Sequence, residues 1–137
     1  MGSLPTVAST CKRVVLFVDD DDLVVELGQE MLACLGYRVI GQTDSREALA
    51  LFRESPYDFD LVLTDFHMPG MKGDSLAQQL WGIRPDIPII LCTSSWAVIQ
   101  DRARLQGFDA LLSKPFQLHD MGTALTQALA QRGTPQP

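Results

Sequence analysis

Residues 14–27 read VVLFVDDDDLVVEL, five apolar residues followed by four aspartates and then an apolar stretch again. A continuous run rich in Val and Phe reads as a β-strand covered on both faces, because a half-exposed strand alternates apolar and polar residues. After the aspartates, Val24, Leu27, Met31 and Leu35 recur at helical spacing, and Gly36 stands where a helix C-cap is expected. Strand, acidic turn and amphipathic helix make one βα unit. The four aspartates read either as a solvated acidic loop or as a cation site at a strand end.

Outward from this unit the same rhythm repeats. Strands are predicted over residues 12–18, 37–41, 60–64, 87–92 and 110–113. Pro88 is tolerated near the start of the fourth. Helices are predicted over 23–35, 45–54, 73–83, 95–106 and 117–131. The second starts at Asp44 or Ser45 as N-cap and lines up Ala48, Leu49 and Phe52. Gly107 ends the fourth, and the last carries Leu118, Met121, Leu125 and Leu129 on one side. Right-handed crossovers between parallel strands then give an α/β fold, an open sheet with helices on both faces. The small, polar, Pro-containing residues 1–11 read as a disordered lead-in or a remnant of cloning, residues 12–131 as one domain, and residues 132–137 as a disordered tail.

Composition narrows the partners. The net charge is −6 with no Lys/Arg block, which argues against a nucleic-acid groove or an anionic membrane surface. No apolar run reaches the ~18 residues of a membrane span, and no signal-peptide core is present, so the expected location is cytoplasmic. Cys11, Cys34 and Cys92 show no CxxC pair and read as free thiols of a reducing compartment, with Cys34 and Cys92 as core filler. Trp81 and Trp96 read as helix anchors, Trp96 with the option of a partner surface.

Ligands of open parallel sheets bind at the carboxyl ends of the strands. Those ends carry Asp19 and Asp20, then Asp65, Thr93 and Lys114, the last followed by Pro115. Two carboxylates at ~4 Å repel by roughly 4 kcal/mol at an effective dielectric of 20, against a total domain stability of ~5–15 kcal/mol. A cation resolves that conflict, and hard oxygen donors on an open rim suit Mg²⁺. With Lys114 as a positive charge and Thr93 as a hydroxyl donor, the set describes a phosphoryl site with Asp65 as nucleophile.

Four segments, VLFVDDDD, LVLTDFHMPGMKGD, PIILCTSS and LLSKPF, resemble in order and spacing the signature segments of the receiver domain of two-component response regulators. The resemblance implies a flavodoxin-like (βα)5 fold with strand order 2-1-3-4-5. It also implies that Asp65 is the phosphoacceptor, served by Thr93 and Lys114. Asp20 would bind Mg²⁺ directly and Asp19 through a water, with the backbone carbonyl of His67 as a further ligand. The peptide before Pro115 is expected to be cis. His67 and Ser95 would border the water that removes the phosphoryl group. Asp21 and Asp22 are left as helix-start charges, favoured by the helix dipole.

The implied partner is a sensor histidine kinase or histidine phosphotransfer domain, and a weak homodimer through the face of the fourth helix, fifth strand and last helix is a further option. The implied role is a signalling phosphoacceptor and not an enzyme acting on a diffusible substrate. Leu111 departs from the family, which usually places Tyr or Phe there; a leucine has no phenol to swing, so output should depend less on that face. A Mg-dependent phosphohydrolase of the haloacid-dehalogenase type is the alternative, since Asp19-x-Asp21 imitates its opening motif. It needs an acidic pair after the lysine, where Asp120 stands alone. A flavin-phosphate binder needs a Ser/Thr/Gly loop after the first strand, and four aspartates there would repel the phosphate.

Overall fold

The computed structural model describes residues 12–133. The lead-in expected over 1–11, with Cys11, and residues 134–137 of the tail lie outside the described residues. Strands β1 (Val14–Val18), β2 (Arg38–Gln42), β3 (Leu61–Asp65), β4 (Ile89–Thr93) and β5 (Ala110–Ser113) form one sheet in the order 2-1-3-4-5, every pairing parallel. The helices are α1 (Asp22–Cys34), α2 (Ser45–Glu54), α3 (Gly73–Ile83), α4 (Trp96–Gln100), α5 (Arg102–Leu105) and α6 (Leu118–Ala128). The expected α/β, flavodoxin-like (βα)5 architecture is the one observed.

The apolar runs behave as sheet interiors covered on both sides. Val15 and Phe17 pack into one cluster with Val25 and Leu32 of α1 and Met121 and Leu125 of α6. Leu16 and Val18, one residue out of phase, pack into another with Ala48 and Phe52 of α2 and Leu76 and Leu80 of α3. Alternate side chains of a strand point to opposite faces, so an unbroken apolar run supplies both cores at once. Two carboxylates, Asp109 buried and Asp60 half-buried, close the strand starts. Asp109 accepts from Ile89 N at 2.9 Å and Asp60 from Val14 N at 2.7 Å, giving these donors partners that the sheet does not supply.

Several expectations are corrected. The buried stripe of α1 is Val25, Gly28 and Leu32, with Leu27 exposed and Val24, Met31 and Leu35 only half-buried. The reason is Gly28: a Cβ there would overlap the ring of Phe17, so the helix turns its glycine to the sheet and approaches closely. Replacing Gly28 by Ala is expected to destabilise the fold by about 1–2 kcal/mol, overpacking outweighing the ~1 kcal/mol gained in helix propensity; urea unfolding would measure it.

The single helix expected over 95–106 is two, interrupted at Asp101, whose side chain caps a new turn by accepting from Arg104 N. Cys34 is exposed at the end of α1, and Trp96, 69% exposed, anchors nothing in the core. Other signals hold. Gly36 and Gly107 take positive φ where helices end, Asp44 caps α2, and Asp21 caps α1 by accepting from Leu23 N at 2.9 Å.

Candidate functional site

Parallel pairing puts the ends of β1, β3, β4 and β5 side by side, with Asp65 opposite Cys92 and Thr93 opposite Ser113. Asp19 and Asp20 follow β1 directly, Asp65 closes β3, and Lys114 follows β5. Asp19, Asp20 and Asp65 each present a carboxylate oxygen, and these oxygens all lie within 4.8 Å of one another. Asp19 and Asp65 are buried while Asp20 is exposed, so the cluster opens to solvent on one side. Residues 46 positions apart in the chain thus meet at one rim, as the strand-end reading requires.

Lys114 ties the buried pair together. Its Nζ lies 2.7 Å from Asp19 Oδ2 and 3.0 Å from Asp65 Oδ1. Asp19 is held from its other oxygen as well, Oδ1 accepting from Asp21 N at 3.0 Å. Burial pushes the Asp65 carboxyl above its ordinary range; the hydrogen bond from Lys114 opposes that, and the Asp19 charge adds to it. For Lys114, burial works against the ammonium, but hydrogen bonds to Asp19 and Asp65 outweigh it and the amine is held above its usual value. Cys92, fully buried beside these charges, has its thiol pushed well up, which makes it inert filler as expected.

The loop after Asp65 is fixed tightly. Phe66 N donates to Cys92 O at 3.0 Å, and Gly73 N donates to Phe66 O at 2.8 Å. A Cβ on Gly73 would collide with the Asp65 carbonyl oxygen, so this helix start must be glycine for the loop to fold back on itself. Strand and turn signals did not single out Gly73; the clue available was a glycine at a helix start where nothing else called for one.

Thr93 is buried, and its hydroxyl accepts from Ser95 N at 3.0 Å. Ser95 in turn caps α4, accepting from Val98 N at 3.3 Å. His67 is exposed, its ring edge-on to Phe66. A cavity of about 280 Å³ beside the acceptor loop is lined by His67, Ser95, Lys72 and Arg104 among others. The Lys114–Pro115 peptide is cis. Leu111 is half-buried, packed on the cluster of Phe66, Leu91 and Val98.

The residues suit a small hard cation: carboxylate oxygens converge on a rim open through Asp20, and Lys114 offsets part of their charge. The phosphohydrolase alternative finds no support, since the lone acid after Lys114, Asp120, is exposed on α6.

Comparison with known proteins agrees with this geometry. The family model described as the response regulator receiver domain matches residues 15–126. The sensor histidine kinase AruS of Pseudomonas aeruginosa is 36% identical over 99% of this chain, which corresponds to 14% of that protein. The response regulator MprA of Mycolicibacterium vanbaalenii is 37% identical over 88% of the chain, spanning 52% of its own length. The chain thus corresponds to a minor part of the first and about half of the second. Among solved structures, the chemotaxis protein CheY4 of Vibrio cholerae superposes with a TM-score of 0.76 at 27% identity, covering 87% of this chain and all of that one. The response regulator TrrA of Thermotoga maritima, solved in complex with Mg²⁺ and BeF, superposes with a TM-score of 0.78 at 28% identity, covering 85% of this chain and 99% of that one. Sheet order, acidic rim and family match lead to one conclusion: this chain belongs to the response regulator receiver domain family of two-component systems.

Proposed function

We propose that Asp65 is the phosphoacceptor of this receiver domain, loaded by a sensor histidine kinase or a histidine phosphotransfer domain and acting as a signalling switch, not as an enzyme on a diffusible substrate. The observation that carries the reading is the meeting of Asp19, Asp20 and Asp65 within 4.8 Å, with Lys114 Nζ 3.0 Å from the Asp65 carboxylate. In the transfer, an Asp65 carboxylate oxygen forms a bond to phosphorus as the bond from phosphorus to the donor's imidazole nitrogen breaks. The electron pair returns to the ring, which takes up a proton.

Mg²⁺ would be held by Asp20, by Asp65 and by the His67 carbonyl, with Asp19 acting through a bound water, and when bound it supplies positive charge to the developing phosphoryl oxygens. Lys114 sits where it can pair with one phosphoryl oxygen while remaining bonded to Asp19. Thr93 can turn its hydroxyl from Ser95 N to another. The folding unit taken for this function is residues 12–131. A cytoplasmic setting is in keeping with a histidine-kinase partner, and among the described residues no helix is long and apolar enough to cross a membrane.

Titration calorimetry tests the reading. Mg²⁺ alone should bind at one site, and Mg²⁺ with beryllofluoride should bind far more tightly than either alone. Equal heats with and without Mg²⁺ would remove the proposal. Affinity for Mg²⁺ should also weaken as pH falls toward the raised pKa of Asp65, because there the cation competes with a proton that this carboxyl holds more tightly than an ordinary aspartate does.

A further inference from the structure

The segment between β4 and β5 is two short helices meeting at Asp101 (φ −89, ψ 93). Its second half packs Leu105 on the cluster of Phe66, Leu91 and Val98, and its polar contacts to α3 and to Asp101 are made by Arg104. Arg104 Nε donates to Asp101 Oδ2 at 2.9 Å, and Arg104 Nη1 donates to Asp74 Oδ2 at 3.3 Å on the first turn of α3. The guanidinium also lies 5.3 Å from the ring centre of Phe66, the buried residue next to Asp65. A lone surface ion pair contributes little. Here one planar cation joins two carboxylates and an aromatic face, a set that suits arginine and not lysine.

The first half is fastened elsewhere. The start of α4 hangs on Thr93, whose hydroxyl accepts from Ser95 N. If that hydroxyl turns toward a phosphoryl oxygen on Asp65, Ser95 N loses its acceptor and α4 must resettle. With α5 tied to α3, the adjustment falls on the break at Asp101, and the Asp101 carboxylate is itself held by Arg104. Leu111 packs on the same cluster of Phe66, Leu91 and Val98 and has no polar group to exchange.

We infer that Arg104 is a positioning residue that latches α5 to α3 and to the acceptor loop, opposing the rearrangement that accompanies loading of Asp65. The inference rests on Asp65 being the phosphoacceptor. Releasing the latch should make loading easier, because a contact made in only one of two arrangements biases the equilibrium toward that arrangement.

The test is the affinity of Arg104→Ala, Asp74→Asn and the double variant for beryllofluoride in saturating Mg²⁺, with the melting temperature of each. Arg104→Ala is expected to bind about three- to tenfold more tightly, the scale of a surface contact of about 1 kcal/mol. Asp74→Asn should bind more tightly by a smaller factor, and the double variant no more tightly than Arg104→Ala, since both changes release one contact. Arg104→Lys should fall between wild type and Arg104→Ala. A merely structural Arg104 would instead give weaker binding together with a lower melting temperature, and that result, unchanged affinity, or additive effects of the two substitutions would overturn the latch. Absence of any beryllofluoride binding by the wild type would remove the phosphoacceptor reading, and the latch with it.

Discussion

The Asp65→Asn protein is expected to accept no phosphoryl group from acetyl phosphate, a fall of at least about a thousandfold, the scale on which loss of a covalent nucleophile acts. The amide is nearly isosteric with the carboxylate, so the rim should keep its shape while losing its reactive oxygen. A second effect should accompany the loss. Burial and the neighbouring Asp19 charge raise the Asp65 carboxyl above its usual pKa, so the folded state binds that proton more tightly than the unfolded chain does. Ionising it therefore subtracts stability, beginning as pH rises past the unfolded value and complete above the folded one. At neutral pH and without Mg²⁺, Asp65→Asn should resist urea better than the wild type. The advantage should shrink as pH falls into the ordinary carboxylate range. Urea midpoints at several pH values measure it, and a variant less stable than wild type throughout would count against the charge conflict inferred at this rim.

Lys114→Met should have the next largest effect, with two ligands responding in opposite senses. The ammonium is the cation bonded to both Asp19 and Asp65, at 2.7 and 3.0 Å, and its side chain is only 20% exposed. Removing one partner of a buried pair costs about 3–5 kcal/mol; partial exposure reduces that to about 2–4 kcal/mol here. Mg²⁺ should restore part of the loss by supplying the missing charge, and its own affinity should rise several-fold because no ammonium competes for the carboxylates. Beryllofluoride should bind about a hundredfold more weakly, having lost a charged hydrogen-bond donor worth about 3 kcal/mol. The wild-type pair should also fade at alkaline pH. The folded-state pKa of Lys114 lies above the ordinary lysine value of 10.5, so its contribution is complete below that value and is lost as pH rises through the folded one. Calorimetry at fixed pH gives both affinities, and parallel weakening of both ligands would contradict the assignment of Lys114.

Much of this site was legible in the sequence because its residues are tied to strand ends. An apolar run that stops at a polar residue marks the rim, and five such stops in a parallel sheet lie on the same side. Parallel topology alone therefore puts Asp19, Asp20, Asp65, Thr93 and Lys114 at one rim. Side-chain direction was not legible to the same degree. Leu27 outweighs Gly28 on any hydrophobic count, which sets the expected α1 stripe one residue out of phase, whereas steric fit against Phe17 turns the glycine inward. Helical spacing continues across Asp101 and hides the break there. The competing signal was the aspartate itself, which caps more readily than it sits inside a helix. Arg104 gave no signal as a single residue, since its partners Asp74 and Phe66 are brought to it only by the packing of α3 and α5. Cys34, expected as core filler, and Trp96, expected as a helix anchor with the option of a partner surface, are both exposed, at opposite ends of their helices, where residue type alone is a poor guide.

The central claim is that one carboxylate of this rim takes up phosphorus, and locating the modification tests it most directly. The protein would be treated with acetyl phosphate and Mg²⁺, reduced with borohydride to convert an acyl phosphate to the alcohol, digested, and sequenced by mass spectrometry. The account predicts homoserine at residue 65 and nowhere else, dependent on Mg²⁺. Homoserine at residue 19 or 20, or an unmodified residue 65 after treatment that modifies other positions, would contradict it.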